Sequence, residues 1–450
     1  MREYKVYTLC AALFLGVFLN SCDGFLDITP VGQVIPENST EYRGFINSAY
    51  KLVPSHKALL NMRGTHFNPE GDPWGMGLDG FDMFKDIYMW NDVNPDDKTQ
   101  EYPYISFYQV IFYTNEIINN APNAVDDNKE SLKQIIGEAY ALRAYMYFEL
   151  ANMYAPIYDK STASSVKAIP ISTKIDVEQA YPKATLQEVY DLILSDINNA
   201  QSYLEVSQQE GENRYRFSLE GLHALKSRVY LYMKEWQKSL DASTQALAIS
   251  KALEDMNSDE YVPNTDYKSK EAILSLEYPS RLELTSYASI SEILISSYKD
   301  GDLRPKHYFT ESFSGYLVTN KVASKNEKVT FRRSELFLNA AESYARLGKD
   351  AVARTYLGEL LKNRYTPKAY ALQIEKLNTL SGDALVNEIL LEREKELALE
   401  GHQWYDWRRT TQPEVRKTVK GVECVLKKSD PRYTLQIPKS AREANPLLNE

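Results

Sequence analysis

The segment Arg332–Tyr365, RRSELFLNAAESYARLGKDAVARTYLGELLKNRY, constrains the fold of this chain more than any other. Leu336, Phe337, Ala340, Ala341, Tyr344 and Leu347 recur at three- and four-residue steps, which puts them on one helical face. Gly348 suits a left-handed helix end, and Asp350 can cap the next helix. That second helix carries Ala353, Tyr356, Leu357, Leu360 and Leu361 on its own face. Small side chains at Ala340, Ala341 and Ala353 let two backbones approach closely. The spacing is that of a tetratricopeptide hairpin. One hairpin cannot bury its apolar face alone, so the pattern requires companions.

Degenerate companions share the same layout. Phe217 to Ser250 repeats it, with Ala224, Tyr230, Trp236 and Ala246 as packing residues. Ile135 to Tyr154 and Leu186 to Leu204 form another pair, split by a long insertion, and Gln109 to Asn120 supplies a further helix. A further helix is expected near Thr40 to Leu52. Thr185-Leu186-Gln187-Glu188 has the form of a helix start, and Ala272 to Glu277 alternates as a minor strand does. The expected class is mainly α: about four helix pairs with long irregular loops and a little β.

The net charge of −10, with no basic cluster, argues against nucleic-acid binding. The chain holds 33 tyrosines, a side chain with an apolar face and a polar tip. That surplus suits a core with wet edges, or a surface that stacks on something flat and hydroxylated.

Residues 1–21 read as an export signal. Arg2 and Lys5 give a positive start, and Val6 to Leu19 is an apolar run too short to span a bilayer. It ends in Leu19-Asn20-Ser21-Cys22, which resembles a bacterial lipobox and makes Cys22 the lipidated first residue, although Asn20 is not the usual small residue. With the leader removed and Cys22 lipidated, Cys424 is the one thiol left, so no internal disulfide framework is expected and a large core must supply stability. Residues 22–450 are read as a single helical domain.

From Arg63 to Pro103 the helical pattern breaks down, and glycine, proline and aspartate mix with Trp74, Phe81, Phe84, Tyr88 and Trp90. Disordered segments are poor in aromatic residues, so this reads as an ordered loop that presents side chains. Two motifs here are decoys. Gly75 to Gly80 fits a dinucleotide-binding glycine pattern, but no βαβ unit surrounds it. Asp92 to Asp96 begins like a calcium loop, yet Asp97 and Pro103 stand where glycine and glutamate are needed. No cofactor is implied; a looser structural calcium site is the most this run allows. Further on, Glu392, Arg393, Glu394, Lys395 and Glu396 read mostly as a solvated helix face. Gly401 closes that helix, and Trp404, Tyr405 and Trp407 anchor the segment beyond it.

Six segments, in order and spanning nearly the whole chain, resemble the SusD/RagB family of outer-membrane lipoproteins of the Bacteroidetes type. They are SCDGFLDITP, GEAYALRAYMYFELANMYAPI, YPKATLQEVYDLILSDINNA, FRRSELFLNAAESYARLG, EREKELALEGHQWYDWRR and IPKSAREANPLL. The most specific piece runs from Glu400 to Arg408, E-G-x-x-W-x-D-x-R. The chain is on the short side for this family. The resemblance implies a lipid-anchored, surface-exposed protein of the outer membrane. Such a protein sits as a lid on a SusC-like TonB-dependent transporter and hands it oligosaccharides or, in some cases, peptides.

For the ligand site, the expected regions are about 63–103 and 255–330. Trp74, Tyr88 and Trp90 are the leading stacking platforms, with Phe84 and Tyr278 behind them. Arg63, Asp79 and Asn91 are the polar groups for a hydroxyl rim, because sugar rings pair an apolar face with a polar edge. Two other functions compete. A tetratricopeptide scaffold without a small ligand would not need the aromatic loop. A glycoside hydrolase needs only two carboxylates, and 62 acidic residues cannot rule out such a pair. Yet the five histidines are dispersed and no HExxH or nucleophile-elbow motif occurs.

Overall fold

The structure, a computed structural model, describes residues 36–449 apart from 126–128, 175–179 and 322–326. The leader and Cys22 lie outside the described residues. Four helix pairs form the scaffold: α1 (Ser39–Leu52) with α2 (Tyr104–Asn120), α3 (Leu132–Tyr154) with α4 (Leu186–Tyr203), α5 (Leu219–Tyr232) with α6 (Trp236–Ile249), and α7 (Arg333–Arg346) with α8 (Asp350–Lys362). The pairs stack, since α2 also packs on α3 and α7 on α6. Helix α3 is buried along nearly its whole length, as expected of an element enclosed by neighbours rather than lying at the surface.

Local sequence explains the boundaries. Thr185 accepts from the Glu188 amide while the Glu188 carboxylate accepts from the Thr185 amide at 2.7 Å, a complete capping box at the start of α4. Gly348 has φ +72, the left-handed helix end expected of it. Asp350 does not cap α8, whose N-cap is Lys349. Its carboxylate instead accepts from the Gly382 amide at 2.9 Å and so begins helix α9 (Gly382–Glu396). Ala340, Ala341 and Ala353 are fully buried where the hairpin helices meet. The minor strand is present at Ala272–Leu274, paired antiparallel with Phe331–Arg332 ahead of α7.

One reading is overturned. The charged run Glu392–Glu396 is not a solvated face, because all but Glu394 are buried. Glu396 accepts from Arg332 at 2.6 Å and from Arg364 at 2.9 Å, and Glu392 accepts from Arg304 at 2.7 Å. Arg393 reaches Asp406 at 2.8 Å and Asn339 at 2.7 Å, tying α9 to α7 and to the next helix, α10 (His402–Arg409). Burial alone would raise the Glu396 pKa. The Arg364, Arg332 and Arg304 guanidiniums overcome it and hold the carboxyl well below the usual range. Each buried charge of this run has a partner of opposite sign, the condition under which burial is tolerated.

Candidate functional site

The loop 63–103 divides into two parts with different fates. Its second half folds into the core through a short helix, Asp82–Tyr88. Phe84 and Trp90 are fully buried and Tyr88 nearly so. The Trp90 indole donates to the Arg63 carbonyl at 3.0 Å, and the Lys417 ammonium lies between the Tyr88 and Trp90 rings, 4.1 and 4.3 Å from their centroids. Arg63 is also buried; it pairs with Asp92 at 2.7 Å and stacks on Trp404. These four residues are therefore corrections to the expected site. A ring or guanidinium with no face open to solvent cannot take a ligand, and the loop uses them to anchor itself. The Asp92 carboxylate is committed to Arg63, the Asn91 side chain and the Asp96 backbone amide donate to Asp86, and the Asp96 carboxylate accepts from the Lys98 amide. Among the described residues no group of three His, Cys, Asp or Glu could hold a metal ion.

Within the first half, the turn at residues 74–77 stays outside. The Asp72 carboxylate accepts from the amides of Met76 and Gly77 at 2.9 and 2.8 Å, which fixes a tight turn and lowers the Asp72 pKa. Trp74 projects from that turn with 42% of its surface exposed, and its indole Nε1 donates to the Thr285 carbonyl at 3.0 Å. One edge of the ring is thus held by the protein while part of the residue meets solvent. Two glycines permit close approach of further rings. A Cβ at Gly71 would lie 3.2 Å from the Tyr316 ring and 2.1 Å from the Ser289 hydroxyl. A Cβ at Gly80 would fall within 2.0 Å of the Tyr287 ring.

Three chain segments therefore converge: the turn 71–80, the segment 278–291, and the hairpin of Phe309–Glu311 with Leu317–Thr319. Together they carry Trp74, Tyr287 and Tyr316, with Phe313 almost wholly exposed at the hairpin tip. The segment 278–287 also lines a cleft of about 470 Å³, with Ser55, Glu101, Tyr278, Ser280, Arg281 and Glu283 on its walls. Tyr278 is half-buried, and the Lys328 ammonium lies 4.8 Å from its ring centroid. Arg281 pairs with Glu283 at 3.4 Å, and the Ser280 hydroxyl is buried with no hydrogen-bond partner among the described residues. Flat rings beside carboxylates and a hydroxyl suit a ligand with an apolar face and a hydroxylated edge.

The structure places the expected residues unevenly. Trp74, Asp79, Asn91 and Tyr278 keep exposed surface, whereas Arg63, Phe84, Tyr88 and Trp90 do not. Asp79 lies beside Lys420 at 3.4 Å, and Asn91 donates to Asp86 at 2.9 Å, so Asn91 is spent on its own turn. Sequence reasoning did not single out Tyr287, Phe313 and Tyr316. The Phe313-Ser314-Gly315-Tyr316 turn, two rings astride a tight bend, was the available signal.

Comparison with known proteins assigns the family. A model described as starch-binding associating with outer membrane matches residues 80–231, and the SusD family model matches residues 297–449. The chain belongs to the SusD/RagB family. SusD-like protein P38 of Formosa agariphila is 24% identical, over 91% of this chain and 92% of its own length. Among solved structures, a SusD superfamily protein from Bacteroides thetaiotaomicron superposes with a TM-score of 0.73 at 22% identity, covering 91% of this chain and 98% of its own. A laminarin-binding SusD-like protein does so with a TM-score of 0.61 at 19% identity, covering 83% and 92%. The helix-pair scaffold with its irregular loops is the fold these SusD proteins share.

Proposed function

We propose that this SusD/RagB protein captures oligosaccharides at the cell surface, without catalysis, and delivers them to a TonB-dependent outer-membrane transporter. The observation that carries the reading is Trp74: a ring with 42% of its surface exposed, tethered through its indole nitrogen, on a turn against which Tyr287 packs at Gly80 and Tyr316 at Gly71. A sugar ring lies on such a shelf through its C–H face, and the neighbouring cleft offers Glu101, Glu283 and Ser280 to its hydroxyls. The matched description, starch-binding associating with outer membrane, and the laminarin-binding relative support a glycan over a peptide. Among the described residues no helix is long and apolar enough to cross a membrane, and the reading takes attachment from lipid on Cys22. Several acyl chains at about 0.8 kcal/mol per buried methylene hold a protein at a bilayer.

Calorimetric titration with starch- and laminarin-derived oligosaccharides, beside a peptide panel, tests the reading. Binding to a glycan at roughly micromolar to millimolar affinity is expected, with loss in Trp74→Ala. Binding to peptides alone, or undiminished glycan binding in Trp74→Ala, would overturn it. Delivery predicts that the tagged lipoprotein brings one large β-barrel protein out of native membranes, and that Cys22→Ala abolishes membrane attachment.

A further inference from the structure

A second cavity, of about 590 Å³, opens between α1, the turn Gly211–Tyr215 and the chain just after the strand Ala272–Leu274. Its walls include Lys51, Arg214 and Lys328 against one carboxylate, Glu212, in a chain whose overall charge is −10. Arg214 is the informative member. Its side chain is buried, yet its guanidinium pairs with no carboxylate among the described residues. Its bonds go to the carbonyls of Gln209, Tyr267 and Ser269, the Tyr267 contact at 2.7 Å. The buried arginines Arg304, Arg332, Arg364 and Arg393, by contrast, each have a carboxylate within reach. Burial and the neighbouring Arg333 pull the Arg214 guanidinium below its usual range, and Glu220, Glu210 and Glu254 act on it only from a distance.

The rest of the cavity is polar and aromatic. The Ser275 hydroxyl is buried and has no hydrogen-bond partner among the described residues. The Tyr215 hydroxyl donates to Asn47 at 3.2 Å, and its ring meets Tyr50 edge-on, which fixes the ring's position. Tyr267 supplies a further ring, half-buried. A buried cation short of a counter-ion, an unused hydroxyl and fixed rings in a space this size suit a small cyclic anion with hydroxyl groups.

We propose that this cavity is a second binding site, separate from the Trp74 shelf, for a carboxylate-bearing saccharide of one or two rings. The carboxylate sits among Arg214, Lys51 and Lys328, and the hydroxyls reach Ser275 and Asn47. The site does not depend on the oligosaccharide reading of the shelf.

Calorimetry on the soluble chain with sodium glucuronate, glucose and inorganic phosphate tests it. Glucuronate is expected to bind at least about tenfold more tightly than glucose or phosphate, and more weakly in about 0.5 M sodium chloride. The double variant Lys51→Gln, Lys328→Gln removes two cations from the cavity wall, Lys328 also leaving the Tyr278 ring, and is expected to lose at least about tenfold in affinity with its melting temperature unchanged. Arg214→Gln, if it folds, loses binding altogether; if it does not fold, the lysine variant decides. Trp74→Ala is expected to leave glucuronate binding unchanged. Equal affinity for glucose and glucuronate, phosphate binding as tight as glucuronate, full affinity in the lysine variant, or loss in Trp74→Ala would each overturn the proposal.

Discussion

The indole nitrogen of Trp74 donates to the carbonyl oxygen of Thr285 at 3.0 Å, joining two segments 211 residues apart in the chain. The bond fixes the orientation of a ring that is 42% exposed above its turn. Trp74→Phe keeps an aromatic face and removes the donor. A hydrogen bond of this kind is worth about 1 kcal/mol, so the phenylalanine variant should bind oligosaccharide several-fold more weakly, while Trp74→Ala binds none detectably. Titration of both variants checks this. Wild-type affinity in Trp74→Phe would show that the tether does not matter.

Trp90 gives the opposite expectation, although it lies only sixteen positions further along the same loop. It is fully buried with its indole bonded to the Arg63 carbonyl. Trp90→Ala should destabilise the fold by about 3–5 kcal/mol, measured by denaturant unfolding. Where the variant remains folded, its glycan affinity should match wild type. A selective loss of binding with stability intact would return Trp90 to the ligand site.

The charged end of α9 is an internal strut. Glu396→Ala takes from Arg332 and Arg364 one of two carboxylates they share deep in the protein, leaving them Glu271 and, for Arg332, Glu400, so the cost lies at the lower end of the range for a broken buried pair. Removing one partner of a buried ionic group costs about 3–5 kcal/mol, because the remaining charge stays desolvated. A change in unfolding free energy below about 1 kcal/mol would mean that this network does not hold α9 in place.

The fold was legible because its signal is local. The three- and four-residue stripes of Arg332–Tyr365, the box at Thr185 and Glu188, and the turn at Gly348 each declare themselves within a few residues. What failed was long-range. Glu392 to Glu396 look solvated in sequence because their partners Arg304, Arg332 and Arg364 stand 32 to 88 positions away. The aromatic loop was correctly read as ordered, but residue type cannot say which ring points inward. Trp74 and Trp90 differ in burial because Asp72 pins one in an outer turn while the other packs against Lys417. Tyr316 meets the Trp74 turn at Gly71, a contact that no spacing encodes.

Stability should decline as the pH falls from neutrality, before the carboxylates titrate. His223 in α5 is held down to about 4 from an ordinary 6.5, first by burial and then by Lys226, and its Nδ1 has no hydrogen-bond partner among the described residues. His402 is held well below its usual value by burial and by Arg228, Arg393 and Lys57. Between pH 6.5 and 4 the unfolded chain binds protons that the folded chain refuses, so stability falls as the pH drops through that window. For the partly solvated His223 ring the loss is at most about 2 kcal/mol. Unfolding curves across the window should be flatter for His223→Gln than for wild type. Parallel curves would place the proton uptake elsewhere.

Tyr316 offers the sharpest test of where the shelf ends. Its ring rests against Gly71, three positions before Trp74, and is 41% exposed, so it shares a ligand with Trp74 if the turn and the hairpin act as one surface. Phe313, on the same hairpin, is 85% exposed, with little of the protein against it to hold its ring in place. A ring already fixed by packing stacks on a sugar without loss of side-chain freedom, whereas an unfixed ring must be ordered first. Tyr316→Ala should therefore weaken oligosaccharide binding by about 0.5–1.5 kcal/mol, and Phe313→Ala by much less. Neither should shift the melting temperature by more than about a degree, since both side chains project from the surface. If Phe313→Ala proves the more damaging, the ligand runs out along the hairpin tip; if neither matters, Trp74 must find its partners in the cleft beneath Tyr278.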